Sequence, residues 1–231
     1  MSALPELYVA VDVEADGPIP GPYSMISLGM AVAGREHLSF YTELRPISDE
    51  FVPEALAVSG LDRDRLLREA PAPEVAMTAA ARWVNGLRKI GRPVFLAAPA
   101  VWDGMFVHWY FFRYTGKSPF GATGSGVDLR SYWMGLTGSE WSQTHKGKIK
   151  RRLGLEGVPH THHAGEDAAE LAQVFDAVLR REPSSDDAGP RREPPPMTPG
   201  RGASPRPSEQ GRLRSTYPDF SADLQNSLRI H

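Results

Sequence analysis

The stretch "YVAVDVEADG", residues 8–17, places two acids at the end of an apolar segment. Residues 8–13 form a valine-rich run that is typical of a central strand of a sheet. Asp12 and Glu14 stand two positions apart, so their side chains lie on the same face of that strand. Because like charges repel and burying them costs free energy, this carboxylate pair predicts a binding or catalytic site at the end of the strand.

The composition is that of a globular protein without a strong net charge. The chain has 231 residues and a net charge of −2, so any binding of nucleic acid would depend on a local basic patch. It contains no cysteine, which excludes disulfides and thiolate metal sites and favours a reducing compartment. The sequence shows neither a signal-peptide pattern nor an apolar run of about 20 residues that could span a bilayer. We therefore expect a cytoplasmic protein that does not contact membranes.

The composition changes near Arg181. From residue 183 onward, prolines crowd together with Ser, Gly, Asp and Arg, and such a segment buries too little apolar surface to offset the entropy of ordering it. We predict a folded catalytic domain over residues 1–182 and a Pro-rich disordered tail over residues 183–231. The end of this tail carries spaced apolar residues that could dock on a protein partner as a short helix, although a merely flexible end is the simpler interpretation.

The order of the secondary-structure patterns predicts the fold class. Strand patterns occur at residues 8–13, 24–33, 37–45, 93–98 and 126–129. Helical patterns occur at residues 52–60, 72–90, 104–116, 142–155 and 165–181. Three strands come first, and helices and strands then alternate, which predicts an α/β fold. The expected architecture is one mixed five-stranded sheet flanked by helices.

Two further acids and one histidine stand where they could join the first pair. Asp103 follows the fourth strand, Asp167 begins the last helix, and His162 lies in the loop before that helix. Taken alone, the two acids are typical helix-start residues and the histidine a typical surface residue. If strands one and four are neighbours, however, Asp103 meets the first pair at the carboxyl ends of the strands. The last helix can bring Asp167 to the same point.

Four carboxylates in one place predict a metal site. They repel one another when the site is empty, and divalent cations reverse the sign of that interaction. Oxygen ligands favour Mg²⁺ or Mn²⁺ over zinc. Two such ions, roughly 3.5–4 Å apart, form the arrangement used for phosphodiester cleavage. A histidine beside them, here His162, can deprotonate the attacking water.

This constellation resembles the DEDDh (DnaQ-like) family of 3′–5′ exonucleases over about residues 6–181. The stretch "DVEADG" is similar to the first family motif, Asp103 to the second-motif acid, and "HHAGEDA" to the third motif, H-x-A-x-x-D-A. The resemblance implies a ribonuclease-H-like fold and a general base at His162, since His160 and His163 lack the family spacing to the motif aspartate. It also implies that two metal ions are bound by four acids, which are Asp12, Glu14, Asp103 and Asp167.

The chain also departs from the family pattern. Pro99 stands where family members often carry Asn, and Ala15 and Asp16 replace residues that are usually small and polar. In the family this turn lies against the terminal nucleotide, so Ala15 and Asp16 are candidate substrate contacts. Asp16 could accept a hydrogen bond from a ribose 2′-hydroxyl and favour RNA, or it could be a solvated turn acid.

A basic segment, "HKGKIKRR", offers candidate phosphate contacts just before the third motif. We single out Lys148 and Arg151 as residues that could hold phosphates of the substrate. A solvated helix face is an equally good interpretation of this run of charge.

The predicted function is a metal-dependent 3′–5′ exonuclease that hydrolyses single-stranded nucleic acid to nucleoside 5′-monophosphates. RNA is the favoured substrate because the domain is short and carries no polymerase or helicase, as in a bacterial exoribonuclease of the family. One alternative is a DNA exonuclease or proofreading subunit, and another is a non-catalytic nucleic-acid-binding module. The oligomeric state stays open, with a homodimer as one option.

Overall fold

The computed structural model describes residues 4–122, 124–157, 160–182 and 187. Its five strands are β1 (Glu6–Ala15), β2 (Met25–Val32), β3 (Arg35–Glu43), β4 (Arg92–Ala97) and β5 (Gly126–Asp128). They form one mixed sheet in the spatial order β3-β2-β1-β4-β5. β1 pairs antiparallel with β2 and parallel with β4, so strands one and four are neighbours, which is the condition under which Asp103 meets the first pair of acids. The carboxyl ends of these two strands therefore share one edge of the sheet.

Seven α-helices lie within the described part of the chain. They are α1 (Pro53–Ser59), α2 (Arg63–Glu69), α3 (Pro73–Leu87), α4 (Ala100–Thr115), α5 (Leu129–Thr137), α6 (Lys146–Arg152) and α7 (Ala164–Arg180). Sequence patterns missed α2 and α5, which are too short to show a clear helical period. Each is preceded by an N-cap aspartate whose side chain accepts a hydrogen bond from the third following amide, Asp62 before α2 and Asp128 before α5.

Two other helices differ from their predicted extent. α4 begins at Ala100, four residues before the predicted start, and only two residues separate it from the end of β4. The predicted helix over 142–155 is divided into a 3₁₀ turn at Trp141–Gln143 and the seven-residue α6.

The sheet is covered by helices on both faces. Alternate residues of β1, including Val9 and Val11, join a core with α3 and α4. Ala10 faces the other way and joins a second core that contains Trp133 of α5 and Phe175 of α7. Every residue of β2 is buried, as expected for a strand covered on both sides. This three-layer arrangement leaves the carboxyl edge of β1 and β4 as the place where side chains of different layers meet.

A close approach between α7 and the sheet depends on Gly29 of β2. Gly29 is the register partner of Asp12 on β1. A Cβ atom at position 29 would lie 1.9 Å from the carbonyl oxygen of Ala164, the first residue of α7. Only glycine leaves room for the amino end of α7 at this distance. The first turn of α7, which carries Asp167, can therefore reach the strand that carries Asp12.

The predicted tail, residues 183–231, lies outside the described residues apart from Asp187. Among the helices that the structure describes, none combines the length and apolar character needed to cross a bilayer.

Candidate active site

Three acids meet at the carboxyl end of β1. Asp12, Glu14 and Asp167 each offer a carboxylate oxygen, and these oxygens lie within 4.8 Å of one another. β1 supplies the first two from one face of the strand, and the first turn of α7 supplies the third. Asp167 is fully buried. The structure thus brings together the two motifs that lie 153 to 155 residues apart in the sequence.

Asp103 is docked against the same strand from α4. Its Oδ1 accepts a hydrogen bond from the backbone amide of Val13 at 3.1 Å, and the side chain is buried. Asp103 stands in the first turn of α4, as the helix-start interpretation expects, but it does not cap the helix, because the N-cap position is occupied by Pro99. Asp103 lines the same cleft as the three clustered acids, although it lies outside their 4.8 Å group. The four predicted acids therefore converge on one cleft.

Burial and mutual repulsion disfavour the charged form of three of the four acids. Burial, reinforced by the charges of Asp12 and Asp167, raises the pKa of Glu14 to about 9. Burial and the neighbouring Asp103 raise the pKa of Asp12 well above its usual range. Burial also raises the pKa of Asp103 to about 7. Protons or cations are therefore needed to hold these side chains together near neutral pH.

A divalent cation fits the donor set of this cluster. The Oδ2 atom of Asp167 is buried and has no hydrogen-bond partner among the described residues. Buried polar atoms are nearly always satisfied, so an unsatisfied carboxylate oxygen within a cluster of acids indicates a missing positive ligand. The all-oxygen chemistry of the acids matches hard divalent ions.

Substitution of Glu14 by Gln is expected to stabilise the metal-free protein increasingly as the pH rises. The folded-state pKa of Glu14 is raised, so the folded protein holds a proton that the unfolded chain releases above its own pKa of about 4.5. The stability that this proton provides is present below about pH 4.5 and is lost as the pH rises towards 9. Thermal unfolding in EDTA should show equal melting temperatures for parent and variant near pH 4, and a growing advantage of the variant up to pH 9. A constant difference across this range would contradict the burial of an ionisable group at this position.

His162 lies at the cleft in a backbone conformation that histidine rarely adopts. Its φ is +57°, and it is the one non-glycine residue of the described ranges with a positive φ. Such conformations cost free energy and cluster at functional sites. Burial and the nearby charge of His160 lower the pKa of His162 below its usual value. The ring is therefore neutral near pH 7 and can accept a proton.

A second histidine, His160, contacts the site directly and was not predicted to belong to it. Its Nδ1 lies 2.9 Å from Oδ1 of Asp167 and 3.3 Å from Oε2 of Glu170. The hydrogen bonds to these two carboxylates raise the pKa of His160 to about 9. The third histidine, His163, instead caps α7, where its Nδ1 accepts a hydrogen bond from the amide of Glu166 at 3.3 Å.

Glu170 is a further residue of the site that sequence reasoning missed. It lies three positions after Asp167 on α7, so both side chains lie on the same face of the helix. The carboxylate is buried and contacts Lys150 and Lys146, the latter at 2.6 Å. Although burial opposes ionisation, the hydrogen bond from His160 and the charge of Lys146 lower the pKa of Glu170 to about 2. Glu170 thus fixes α6 against α7; its only sequence signal was the i,i+3 spacing to Asp167.

The structure does not place the two predicted phosphate contacts on α6 at the cleft. Lys148 donates to the carbonyl of Ser142 at 2.9 Å, and the exposed Arg151 lies 3.7 Å from Glu156. Neither residue lines the cleft, whereas Lys146 and Lys150, one turn apart, do. The short basic helix therefore presents a different pair of lysines to the site than the sequence suggested.

Of the two predicted contacts at the end of β1, one lies at the cleft and the other lies in the protein interior. Ala15 lines the cleft, as expected for a substrate contact. Asp16 is fully buried, accepts a hydrogen bond from the amide of Ser24 at 2.5 Å and lies 3.3 Å from Nε of Arg63. Both the predicted contact with a nucleotide and the solvated-turn alternative are therefore wrong for Asp16, which instead ties α2 to the end of β1.

The cleft has a volume of about 440 Å³, within the usual range for small-ligand sites. Besides the acids, two chemical groups of side chains line the cleft. Apolar side chains come from α1 and from the start of α4, and they are Ala55, Val58 and Trp102. Cationic or basic side chains come from α5, from α6 and from the residue before α6, and they are Arg130, His145, Lys146 and Lys150. Such a cleft offers an apolar surface for a base and cations for phosphates beside a cluster of carboxylates.

Solved structures share this fold at low sequence identity. The nuclease domain of 3'hExo, a DEDDh family member bound to rAMP, superposes with a TM-score of 0.62 at 14% identity, covering 75% of this chain and 91% of that chain. The zinc-bound form of the E. coli ExoI–ssDNA complex superposes with a TM-score of 0.55 at 14% identity, covering 75% of this chain and 40% of that chain. The fold is therefore the ribonuclease-H-like fold of DEDDh exonucleases.

The fold and the acid cluster together define a 3′–5′ exonuclease of the DEDDh family, and the chain belongs to that family. It is 36% identical over 171 residues to the 3'-5' DNA exonuclease Cap18 of Escherichia coli, and the alignment covers 74% of this chain and 90% of that protein. No protein-family model matches the chain.

Proposed function

We propose that this 3′–5′ exonuclease is metal-dependent and shortens single-stranded DNA, releasing nucleoside 5′-monophosphates. The observation that carries this proposal is the convergence of the three motif segments, with their four acids and His162, on one cleft. A non-catalytic binding module would have no need to keep four carboxylates together against their repulsion.

The residues of the cleft have distinct roles in this proposal. Four carboxylates hold the metal ions, namely Asp12, Glu14, Asp103 and Asp167. Two Mg²⁺ or Mn²⁺ ions, when bound, would activate the attacking water and stabilise charge on the leaving 3′-oxygen. A ring nitrogen of His162 accepts a proton from the attacking water, which its lowered pKa permits at neutral pH. Lys146, ion-paired with Glu170, adds positive charge beside the acids.

DNA is proposed as the substrate on two grounds. The curated relative at 36% identity is named as a DNA exonuclease. The specific residue argument for RNA relied on Asp16, whose side chain is buried against Arg63 and Ser24 and cannot meet a 2′-hydroxyl. The preference for RNA thus stays a prediction without a supporting contact.

Digestion of matched oligonucleotides tests the proposed function. Single-stranded DNA and RNA of one sequence, each labelled at the 5′ end, are incubated with Mn²⁺ and the parent protein or Asp103→Asn. We expect a ladder that shortens from the 3′ end, faster on DNA, and no shortening by the variant. Faster shortening of RNA would overturn the substrate, and shortening of neither polymer by folded protein would overturn the proposed activity.

A further inference from the structure

Arg130 of α5 is held in a fixed position at the cleft. Its guanidinium carbon lies 4.0 Å from the centroid of the Trp141 ring, and its Nε donates to Oγ1 of Thr144 at 3.2 Å. Trp141 is 51% exposed, so the stacked pair lies at the protein surface. Stacking and one hydrogen bond restrict a long side chain that would otherwise sample many rotamers.

The outer part of the guanidinium group is left for a ligand. Asp128, the nearest acid in the sequence, uses Oδ1 for the amide of Ser131 at 2.7 Å and Oδ2 for the amide of Ala100 at 2.9 Å. Within the ranges that the structure describes, no hydrogen bond or ion pair engages the two terminal nitrogens of Arg130. A planar fork of this kind matches the oxygens of a phosphate group.

The sheet places Arg130 beside the acid cluster rather than in it. α5 follows β5, and β4 separates β5 from β1, which carries Asp12 and Glu14. By strand register, Val127 of β5 lies two strands away from Ala10 of β1, which is about 10 Å at about 4.8 Å per strand. Arg130 and the acids nevertheless line one cleft, together with His145. This separation suits a phosphate next to the scissile one on the same strand.

We propose that Arg130, stacked on Trp141, binds a backbone phosphate of the substrate strand upstream of the scissile phosphodiester. This inference rests on the proposed function, because it needs a nucleic-acid strand in the cleft. A phosphate contact carries no base information, so the subsite strengthens binding for every sequence alike and positions the strand along the cleft.

Binding measured without cleavage tests the subsite. Fluorescence anisotropy of a 5′-labelled single-stranded DNA is followed in EDTA for the parent, Arg130→Ala, Arg130→Lys and Arg113→Ala. Arg113 is the matched control, since it is an exposed arginine 5.9 Å from the Tyr114 ring, outside the cleft. We expect Arg130→Ala to raise Kd about 10-fold and to reduce the salt slope by about 0.7. Arg130→Lys should recover only part of the affinity, and Arg113→Ala should match the parent.

A small substrate separates this inference from the proposed function. The p-nitrophenyl ester of thymidine 5′-monophosphate has one phosphate and no upstream strand, and its hydrolysis releases p-nitrophenol. Arg130→Ala should lose much less activity on this ester than on the oligonucleotide, for which its KM rises about 10-fold. Equal losses on both substrates, or unchanged affinity for DNA, would overturn the subsite. Weaker DNA binding by Arg130→Ala, together with no shortening of the oligonucleotide by the parent, would support the subsite and contradict the proposed function.

Discussion

Asp167→Asn is expected to lower kcat on single-stranded DNA by about 10³-fold or more. Asp167 is fully buried, shares a 4.8 Å oxygen group with Asp12 and Glu14, and has an Oδ2 atom with no hydrogen-bond partner in the described structure. Asparagine keeps the size of the side chain but removes the charge that a divalent ion requires. Loss of a metal contributes several kcal/mol to the barrier, and each 1.4 kcal/mol is about tenfold in rate. Steady-state assays of 3′-end shortening in Mn²⁺ measure this effect.

The fold is expected to survive this substitution, because asparagine keeps the Oδ1 atom that accepts a hydrogen bond from the amide of Thr161 at 3.0 Å. A matched control is Asp176→Asn on the same helix, where the side chain pairs with Arg180 instead of facing the cleft. The control should retain parent activity. Parent-level turnover by Asp167→Asn, with circular dichroism showing intact secondary structure, would contradict the assignment of Asp167 as a metal ligand.

His162→Asn is expected to lower kcat by about 10²- to 10⁴-fold, the usual contribution of a positioned general base. Asparagine tolerates positive φ better than most residues, so it can keep the turn at φ +57° while removing the ring nitrogen that accepts the proton. Rates measured from pH 5 to 9 give a second readout. In the parent, activity rises through the lowered pKa of His162 as the ring becomes neutral, and the variant should lack this rise.

His163→Asn is the matched control for the base. His163 caps α7 through its Nδ1, and asparagine is among the best N-cap residues, so this variant should keep both the helix and the activity. The opposite pattern, with an inactive His163→Asn and an active His162→Asn, would contradict the assignment of His162 as the general base.

Much of the fold and of the acid cluster could be predicted because the signals are local. The valine-rich run before Asp12 and Glu14 defines a central strand, and a two-residue spacing places both acids on one face. The sequence left open whether β1 and β4 are neighbours, and the structure shows that they pair in parallel.

The predicted substrate contacts that do not lie at the cleft depend on side-chain directions, which residue spacing alone does not define. Asp16 stands in the motif turn, yet its partner Arg63 is 47 residues away and draws it into the interior. Lys148 and Arg151 belong to a helix of seven residues, too short for its buried face to be identified from periodicity. Its orientation is determined by Glu170, which binds the lysines on the opposite side of the helix. A buried carboxylate that pairs with distant cations leaves little trace in one sequence.

Calorimetric titration of Mn²⁺ into the metal-free protein tests the central claim most directly, because the claim is that the acids at the end of β1 are there to hold metal. The account predicts that the parent binds Mn²⁺ and that Asp12→Asn, with its fold intact, loses most of this binding. Equal binding of Mn²⁺ by the parent and by Asp12→Asn would contradict the account.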